Sequence, residues 1–350
     1  TILIAQLSRD VLYYPSAVEI QEINSVRLEG VFASLPVNEV DNLASLCDIY
    51  GEKALSIVKA TGINKRRVAQ SGVTPYDLCI SAAEKLFSAL MAGTDEKSFL
   101  ESFGAVLFVS FTEKVKMPAA ACRAQAHLSL PSYVMAIDLS LACSGWCTAL
   151  NLAAQIASAT RRRVLILDGD VQSVRIKEGD EALTPVLSDG GTAAVVTPDE
   201  KNTSKPWRFA FSSDGAKGDA LTFTEGDFIH MDGFGVYKFV ATSVVSFLKN
   251  FIASESNAGT SFDAFVPHQA NVYMIRQLAK SLNLEDKLLI SADDLGNMAS
   301  ASIPTTIAYR GIAPKEGAVL AAGFGGGLAA SAAAFYIDEG IVTGVCEYGS

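Results

Sequence analysis

The chain has 350 residues, 49% of them hydrophobic and 19% charged, with 28 Lys and Arg against 38 Asp and Glu for a formal net charge of −10. That length supports two core-bearing halves or one large layered domain, and the composition excludes a disordered chain. The acidic balance argues against a nucleic-acid backbone as the main partner, because such binders carry a clustered basic face.

Thr1 to Leu12 lack a charged segment followed by an uninterrupted apolar one, so no signal peptide is read there. Residues 1–25 read as a strand or a surface arm. Val26 to Leu35 reads as a strand running into Pro36, Asp41 to Ala60 as a helix broken by Thr61-Gly62-Ile63, and Asn64 to Arg67 as a polar loop. Thr74-Pro75 opens a helix over about Tyr76 to Met91. The pattern then becomes regular: strand Ala105 to Ser110, helix Pro118 to His127, strand Tyr133 to Leu139, helix Gly145 to Ala159, strand Val164 to Leu167 and strand Thr192 to Thr197. Arg161-Arg162-Arg163 reads as a solvated helix end or as a docking patch for an acidic partner.

A second round follows: helix Gly233 to Phe251, strand Ala264 to Pro267, helix Val272 to Leu282, strand Leu288 to Ile290, helix Ala299 to Arg310, strand Ala318 to Gly323 and a last strand Leu328 to Ile337. Between the rounds, Asp170 to Asp189 and Asp214 to Asp232 are polar surface loops that could line an entrance. Two rounds of the same pattern imply an α/β fold, a duplicated α/β/α/β/α sandwich. The domains expected are 1–25 as an extension, 26–205 as the first half and 206–350 as the second. No apolar run reaches the length of a membrane span.

Six cysteines are scattered without zinc-site spacing or disulfide density, which implies a reducing, cytoplasmic setting. Cys143 stands apart, at the junction of an apolar strand and a long helix in Asp138-Leu139-Ser140-Leu141-Ala142-Cys143-Ser144-Gly145-Trp146. The helix's free N–H groups and positive end would favour its thiolate, making a nucleophile. The other five read as buried small hydrophobes. Of three histidines, His127 and His230 read as non-catalytic, whereas His268, in Val266-Pro267-His268-Gln269-Ala270-Asn271, sits at the carboxyl end of a strand where α/β sheets place ligands, and is a site residue or a strand-end histidine satisfied by backbone. Asn297, in a small-residue loop opening a helix, is a site residue or a helix cap. Gly323-Phe324-Gly325-Gly326-Gly327 is a glycine bulge or a cradle pointing N–H groups at an anion. Cys, His and Asn occur in that order in papain-like proteases too, but Cys143 follows Leu141-Ala142 in mid-chain and the protease signature is absent.

Together these loops resemble the β-ketoacyl-acyl-carrier-protein synthase III family of thiolase-fold condensing enzymes. The resemblance rests on Asp138 to Trp146, Val266 to Asn271, Gly296-Asn297 with Ser300 to Pro304, and Phe324 to Gly327, with weaker agreement at Thr61-Gly62-Ile63, Pro118-Ala119-Ala120, Ser188 to Gly191 and Met231 to Lys238. It implies that Cys143 takes an acyl group from a thioester and that a malonyl thioester on an acyl carrier protein is then decarboxylated. His268 and Asn297 would donate hydrogen bonds to its thioester oxygen, with His268 neutral. The oxyanion would sit between the N–H groups of Cys143 and Gly326. Asn271, Gly233, Met117 and Phe324 would meet substrate, the partners are the carrier protein, an acyl thioester donor and a second copy of the chain, and no metal or redox cofactor is expected, substrates arriving as phosphopantetheine or coenzyme A thioesters.

Departures from the family bear on the donor. A Trp and an Arg that hold the coenzyme A nucleotide correspond to Ser56 and Ala60, and a further arginine to Tyr273; their loss weakens nucleotide binding. Met117 replaces an aromatic residue that crosses the dimer interface, which permits a different or longer acyl chain, unless Met117 is plain core packing. The expected function is a condensing enzyme of fatty-acid initiation or of specialised-metabolite (polyketide) synthesis; the alternatives are a non-catalytic partner subunit and an acyltransferase that does not decarboxylate.

Overall fold

The computed structural model describes residues 18–224, 226–312 and 317–349. Thr1 to Leu12, read above for a leader, lie outside the described residues, as does most of the extension 1–25. The strands are β1 (Gln21–Ile23), β2 (Val26–Pro36), β3 (Glu39–Asp41), β4 (Lys65–Arg67), β5 (Phe103–Val109), β6 (Met135–Leu139), β7 (Arg163–Asp170), β8 (Gly190–Pro198), β9 (Trp207–Ser213), β10 (Leu221–Thr222), β11 (His230–Met231), β12 (Phe262–Pro267), β13 (Ala318–Gly325), β14 (Ala329–Phe335) and β15 (Val342–Tyr348). The helices are α1 (Asn42–Tyr50), α2 (Ala54–Thr61), α3 (Pro75–Leu90), α4 (Glu96–Glu101), α5 (Ala120–His127), α6 (Gly145–Thr160), α7 (Gly233–Phe239), α8 (Val245–Asn257), α9 (Val272–Leu282), α10 (Ala292–Leu295) and α11 (Ser302–Arg310).

Two mixed sheets stack, one ordered β15-β2-β8-β7-β5-β6 and the other β1-β9-β14-β13-β12. Between them run α6 and α11. Ala149, Ala153, Ala154 and Ala157 let α6 approach both sheets closely, and its Trp146 packs edge-on against Phe335 of β14. α3 and α5 cover the outer face of the first sheet, α8 and α9 that of the second. The result is the duplicated α/β/α/β/α sandwich expected from the pattern. Sheets buried on both faces explain the continuous apolar runs of β5, β7 and β13.

The first and last of the described strands belong to different layers. β15 pairs parallel with β2 in the first sheet, whereas β1 pairs antiparallel with β9 in the second.

Several local expectations change. Asp41 to Ala60 is two helices, because Gly51 at φ 56° ends the first. Lys65–Arg67 is a strand, not a loop, paired with Glu39–Asp41 and reinforced by Lys65 and Arg67 on Glu39 at 2.7 and 3.2 Å. Leu288 to Ile290 contributes only a bridge to Phe265 rather than a strand. Leu328 to Ile337 is not the last strand: β15 follows, half-exposed and carrying a glycine and a glutamate that weaken its apolar signal. The helix from Gly233 continues through one π turn to Asn257. Its 25 residues are long and apolar enough to cross a membrane, contrary to the reading of the sequence. Its Phe239, Val244, Phe247, Leu248 and Phe251 are instead packed onto the second sheet.

Candidate active site

Four chain segments meet at a cavity of about 570 Å³. Cys143 lies in the turn between β6 and α6, His268 directly after β12, Asn297 in the loop between α10 and α11, and Gly325, Gly326 and Gly327 in the turn joining β13 to β14. β6 and β12 run parallel to their neighbours, so both turns lie at carboxyl ends of strands, where an α/β sheet leaves a crevice. All four expected groups therefore line one space.

The backbone N–H groups of Cys143 and Gly326 both point at the Cys143 sulfur and pull its pKa down, yet burial and the nearby Asp170 carboxylate outweigh them and push the thiol up to about 12. The sequence expectation of a resting thiolate is thus corrected: desolvation and the Asp170 carboxylate outweigh the two N–H groups that favour it. The glycine turn is sterically required. A Cβ on Gly325, at φ +152°, would stand 3.0 Å from the sulfur.

His268 is buried, and burial lowers its pKa to about 4, against the upward pull of the Ala299 carbonyl. Its Nδ1 lies 2.9 Å from that carbonyl oxygen. A carbonyl only accepts, so Nδ1 carries the single proton of the neutral ring and Nε2 keeps its lone pair. Ser302 Oγ, 3.1 Å from Nδ1, donates to the same carbonyl at 2.7 Å and accepts from the Gln269 N–H. This corrects the expectation that neutral His268 donates to a thioester oxygen. The ring meets Phe324 edge-on, with centroids 5.5 Å apart.

Asn297 is held from every side. Its Oδ1 accepts from the Ala299 N–H at 2.9 Å, an Asx-type turn rather than a cap on α11, and Nδ2 donates to the Ala270 carbonyl at 3.3 Å. Its carbonyl accepts from Ser188 N–H and Gln172 Nε2, each at 2.9 Å, and its N–H donates to Val186. Ala299 pays for this arrangement with φ +50°, a left-handed conformation costing a non-glycine residue roughly 1–2 kcal/mol.

Sequence reasoning missed Gln172, Asp168 and Asp170. Gln172 lines the cavity, and its Nε2 donates to Ser188 and Asn297. Asp168 is fully buried, accepts from Ser300 Oγ at 2.6 Å, and its Oδ2 meets no donor among the described residues. Burial raises it well above the carboxylate range. Asp170 Oδ1 accepts from Ser110 Oγ, Thr112 Oγ1 and the N–H groups of Phe111 and Thr112, yet burial still raises it to about 7. The only sequence signal was their place at the carboxyl end of β7.

Asn271, Gly233 and Phe324 line the cavity as expected, although Asn271 Oδ1 is committed to capping α9 through the Met274 N–H. Met117 does not line it and is 91% exposed. Ala60, Thr61 and Tyr273 lie along the cavity, Ser56 does not, and no charged residue is among the lining residues described. His127 pairs with Glu84 and His230 with Asp227, and neither is among the lining residues of the cavity. Cys79 and Cys147 are buried, but Cys47 and Cys122 are exposed, so they are not core residues. The arginine run is spent locally: Arg161 donates to the Asp199 carbonyl, Arg162 stacks on Tyr133, and Arg163 pairs with Glu29 through two bonds of 2.6 and 2.7 Å.

Residues 137–215 match the family described as 3-oxoacyl-[acyl-carrier-protein] synthase III, and residues 255–337 match its C-terminal part. A β-ketoacyl-[acyl-carrier-protein] synthase III of Oleidesulfovibrio alaskensis is 30% identical over 293 residues, covering 77% of this chain and 87% of that protein. A second such synthase, of Streptomyces coelicolor, is 31% identical over 314 residues, 87% of this chain and 92% of that one. In three dimensions the chain is similar to a 3-oxoacyl-(acyl-carrier protein) synthase of Burkholderia xenovorans (TM-score 0.86, 27% identity, 95% of this chain and 100% of that one). It is also similar to the priming β-ketosynthase of the R1128 polyketide pathway (TM-score 0.78, 27% identity, 90% and 97%).

Proposed function

The chain belongs to the 3-oxoacyl-[acyl-carrier-protein] synthase III family, and on that premise we propose that Cys143, His268, Asn297 and Gly326 are its catalytic groups. It is an acyltransferase of the condensing type, acting in fatty-acid or polyketide biosynthesis. The observation that carries the assignment of residues is their convergence, from four segments, on one cavity.

In the first half-reaction the Cys143 sulfur bonds to the acyl carbonyl carbon of a thioester while Nε2 of neutral His268 takes the thiol proton. The N–H groups of Cys143 and Gly326 hold the oxyanion. Collapse breaks the old C–S bond, and the leaving thiolate takes the proton back from His268, so the acyl-enzyme begins the second half-reaction with a neutral imidazole. In that half-reaction the malonyl C–C bond to the carboxylate breaks, carbon dioxide leaves, and the electron pair passes to the thioester oxygen, where the free N–H of Asn297 Nδ2 donates. The enolate carbon then bonds to the acyl carbon. Cys143 is expelled as the thiolate and takes a proton from solvent, the one proton that decarboxylation of a carboxylate consumes overall.

The apolar, charge-free cavity lining favours an acyl donor carried on protein-bound phosphopantetheine over free coenzyme A, whose phosphates need cations. The carrier protein is then the partner in both half-reactions. A homodimer pairs through β6, an edge strand of its sheet whose Met135 is exposed. Met117 is tethered beside that edge, because the N–H groups of Ala120 and Ala121 donate to Asp138 of β6, so it would reach the second copy rather than its own cavity. Cytoplasmic location is part of the same proposal, from the six free cysteines.

Intact-mass measurement after exposure to matched acyl groups on carrier protein and on coenzyme A tests the reading. An adduct on wild type but not on Cys143→Ala, followed by carbon dioxide release and chain extension on adding malonyl carrier protein, is expected. Equal, fast labelling by acetyl-coenzyme A overturns the carrier-donor proposal. Transfer of the acyl group without carbon dioxide release would select the non-decarboxylating alternative, and output unchanged in Cys143→Ala the non-catalytic partner.

A further inference from the structure

We propose that Asp168 is a positioning residue for condensation, acting through Ser300 on the turn that holds Asn297 and orients His268. This rests on the catalytic assignment above.

Ala299 spends both its backbone polar groups on the catalytic pair: its N–H fixes the Asn297 amide and its carbonyl fixes the His268 ring. It does so in a left-handed conformation that a residue with a Cβ avoids. Something must hold the turn there. The next residue, Ser300, is fully buried, and its hydroxyl donates to Asp168 Oδ1 at 2.6 Å across 132 positions of sequence. That hydroxyl also packs against the first residue of α6, 3.3 Å from where a Cβ on Gly145 would stand, so the turn is seated on the helix that begins two residues after the nucleophile. Asp168 itself sits inside β7, between Val109 of β5 and Thr192 of β8. A carboxyl group there is costly: it is wholly out of water and one oxygen has no partner among the described residues. An apolar side chain would serve the core better. Among the described residues the Asp168 side chain makes one hydrogen bond, to Ser300 of the catalytic turn, which assigns it to positioning rather than stability.

The test compares Asp168→Ala, Ser300→Ala and Asp168→Asn, with turnover expressed per Cys143 that accepts an acyl label. Wild-type carbon dioxide release and chain extension are measured first; if they are absent the catalytic reading fails, independently of Asp168. Given an active wild type, Asp168→Ala and Ser300→Ala are expected to lose about tenfold to hundredfold in kcat per labelled site, with KM for malonyl carrier protein nearly unchanged. Asp168→Asn, which keeps an acceptor oxygen, is expected to stay near wild type. Ser300→Ala removes one oxygen only and serves if Asp168→Ala does not fold. Unchanged turnover per labelled site with only a lower melting temperature would overturn the proposal, as would Asp168→Asn being as impaired as Asp168→Ala.

Discussion

The carbonyl oxygen of Ala299 stands 2.9 Å from Nδ1 of His268 and thereby decides which ring nitrogen faces the chemistry. With Nδ1–H committed and the pKa at about 4, Nε2 is an available base at neutral pH. Acylation of Cys143 should therefore lose rate only as pH falls toward about 4, well below the ordinary histidine value of 6.5. Rapid-quench mass measurement against pH checks this. A limb centred near 6.5 would mean that the ring is solvated rather than buried.

Among the titrations that bear on stability, those of His268 and Asp170 oppose each other. His268 has a folded pKa of about 4, below its ordinary 6.5, so burying it neutral stabilises fully above pH 6.5 and that contribution, about 3 kcal/mol, is lost as pH falls to 4. Asp170 is the reverse: with a folded pKa of about 7 against 3.8, its contribution is full below 3.8 and about 4 kcal/mol is lost as pH rises to 7. Asp170→Asn, which keeps an acceptor for Ser110 and Thr112, should gain on wild type steadily between pH 4 and 7 in urea unfolding. A pH-independent difference would refute the assignment.

Gly325→Ala should fold yet fail at acylation. The new Cβ meets the Cys143 sulfur at 3.0 Å in a backbone conformation unfavourable to alanine, displacing the nucleophile from the N–H groups that serve it. Loss of about a hundredfold or more in the rate of acyl labelling is expected, with an unchanged circular dichroism spectrum.

Gln172→Leu separates the half-reactions. It removes the bond to the Asn297 carbonyl and leaves Cys143 and Gly326 untouched. Acyl labelling should survive while carbon dioxide release falls by about tenfold, and stability should drop by about 1–3 kcal/mol as the Ser188 carbonyl loses its donor. Equal loss in both half-reactions would place Gln172 elsewhere in the mechanism.

What the sequence disclosed and what it hid follow one physical line. Cys143, His268, Asn297 and Gly326 are legible because each sits in a short loop of small residues at a strand or helix end, a local signal. Gln172 and Asp168 act through bonds to residues 125 and 132 positions away, which no local pattern carries. The protonation of Cys143 is hidden for a related reason: the helix start is visible in sequence, but the desolvation and the Asp170 neighbour that raise the thiol exist only after folding. The same limit hid the exposure of Cys47 and Cys122 and the pairing of Val342–Tyr348.

That last pairing has a bearing on how the protein is made. The strand that covers β2 is synthesised last among those described, so the first sheet waits through most of translation with one long edge bare. An uncovered edge invites pairing with another chain, and contacts between residues about three hundred positions apart form slowly. Nascent chains stalled before Val342 should then need chaperone protection that the finished protein does not.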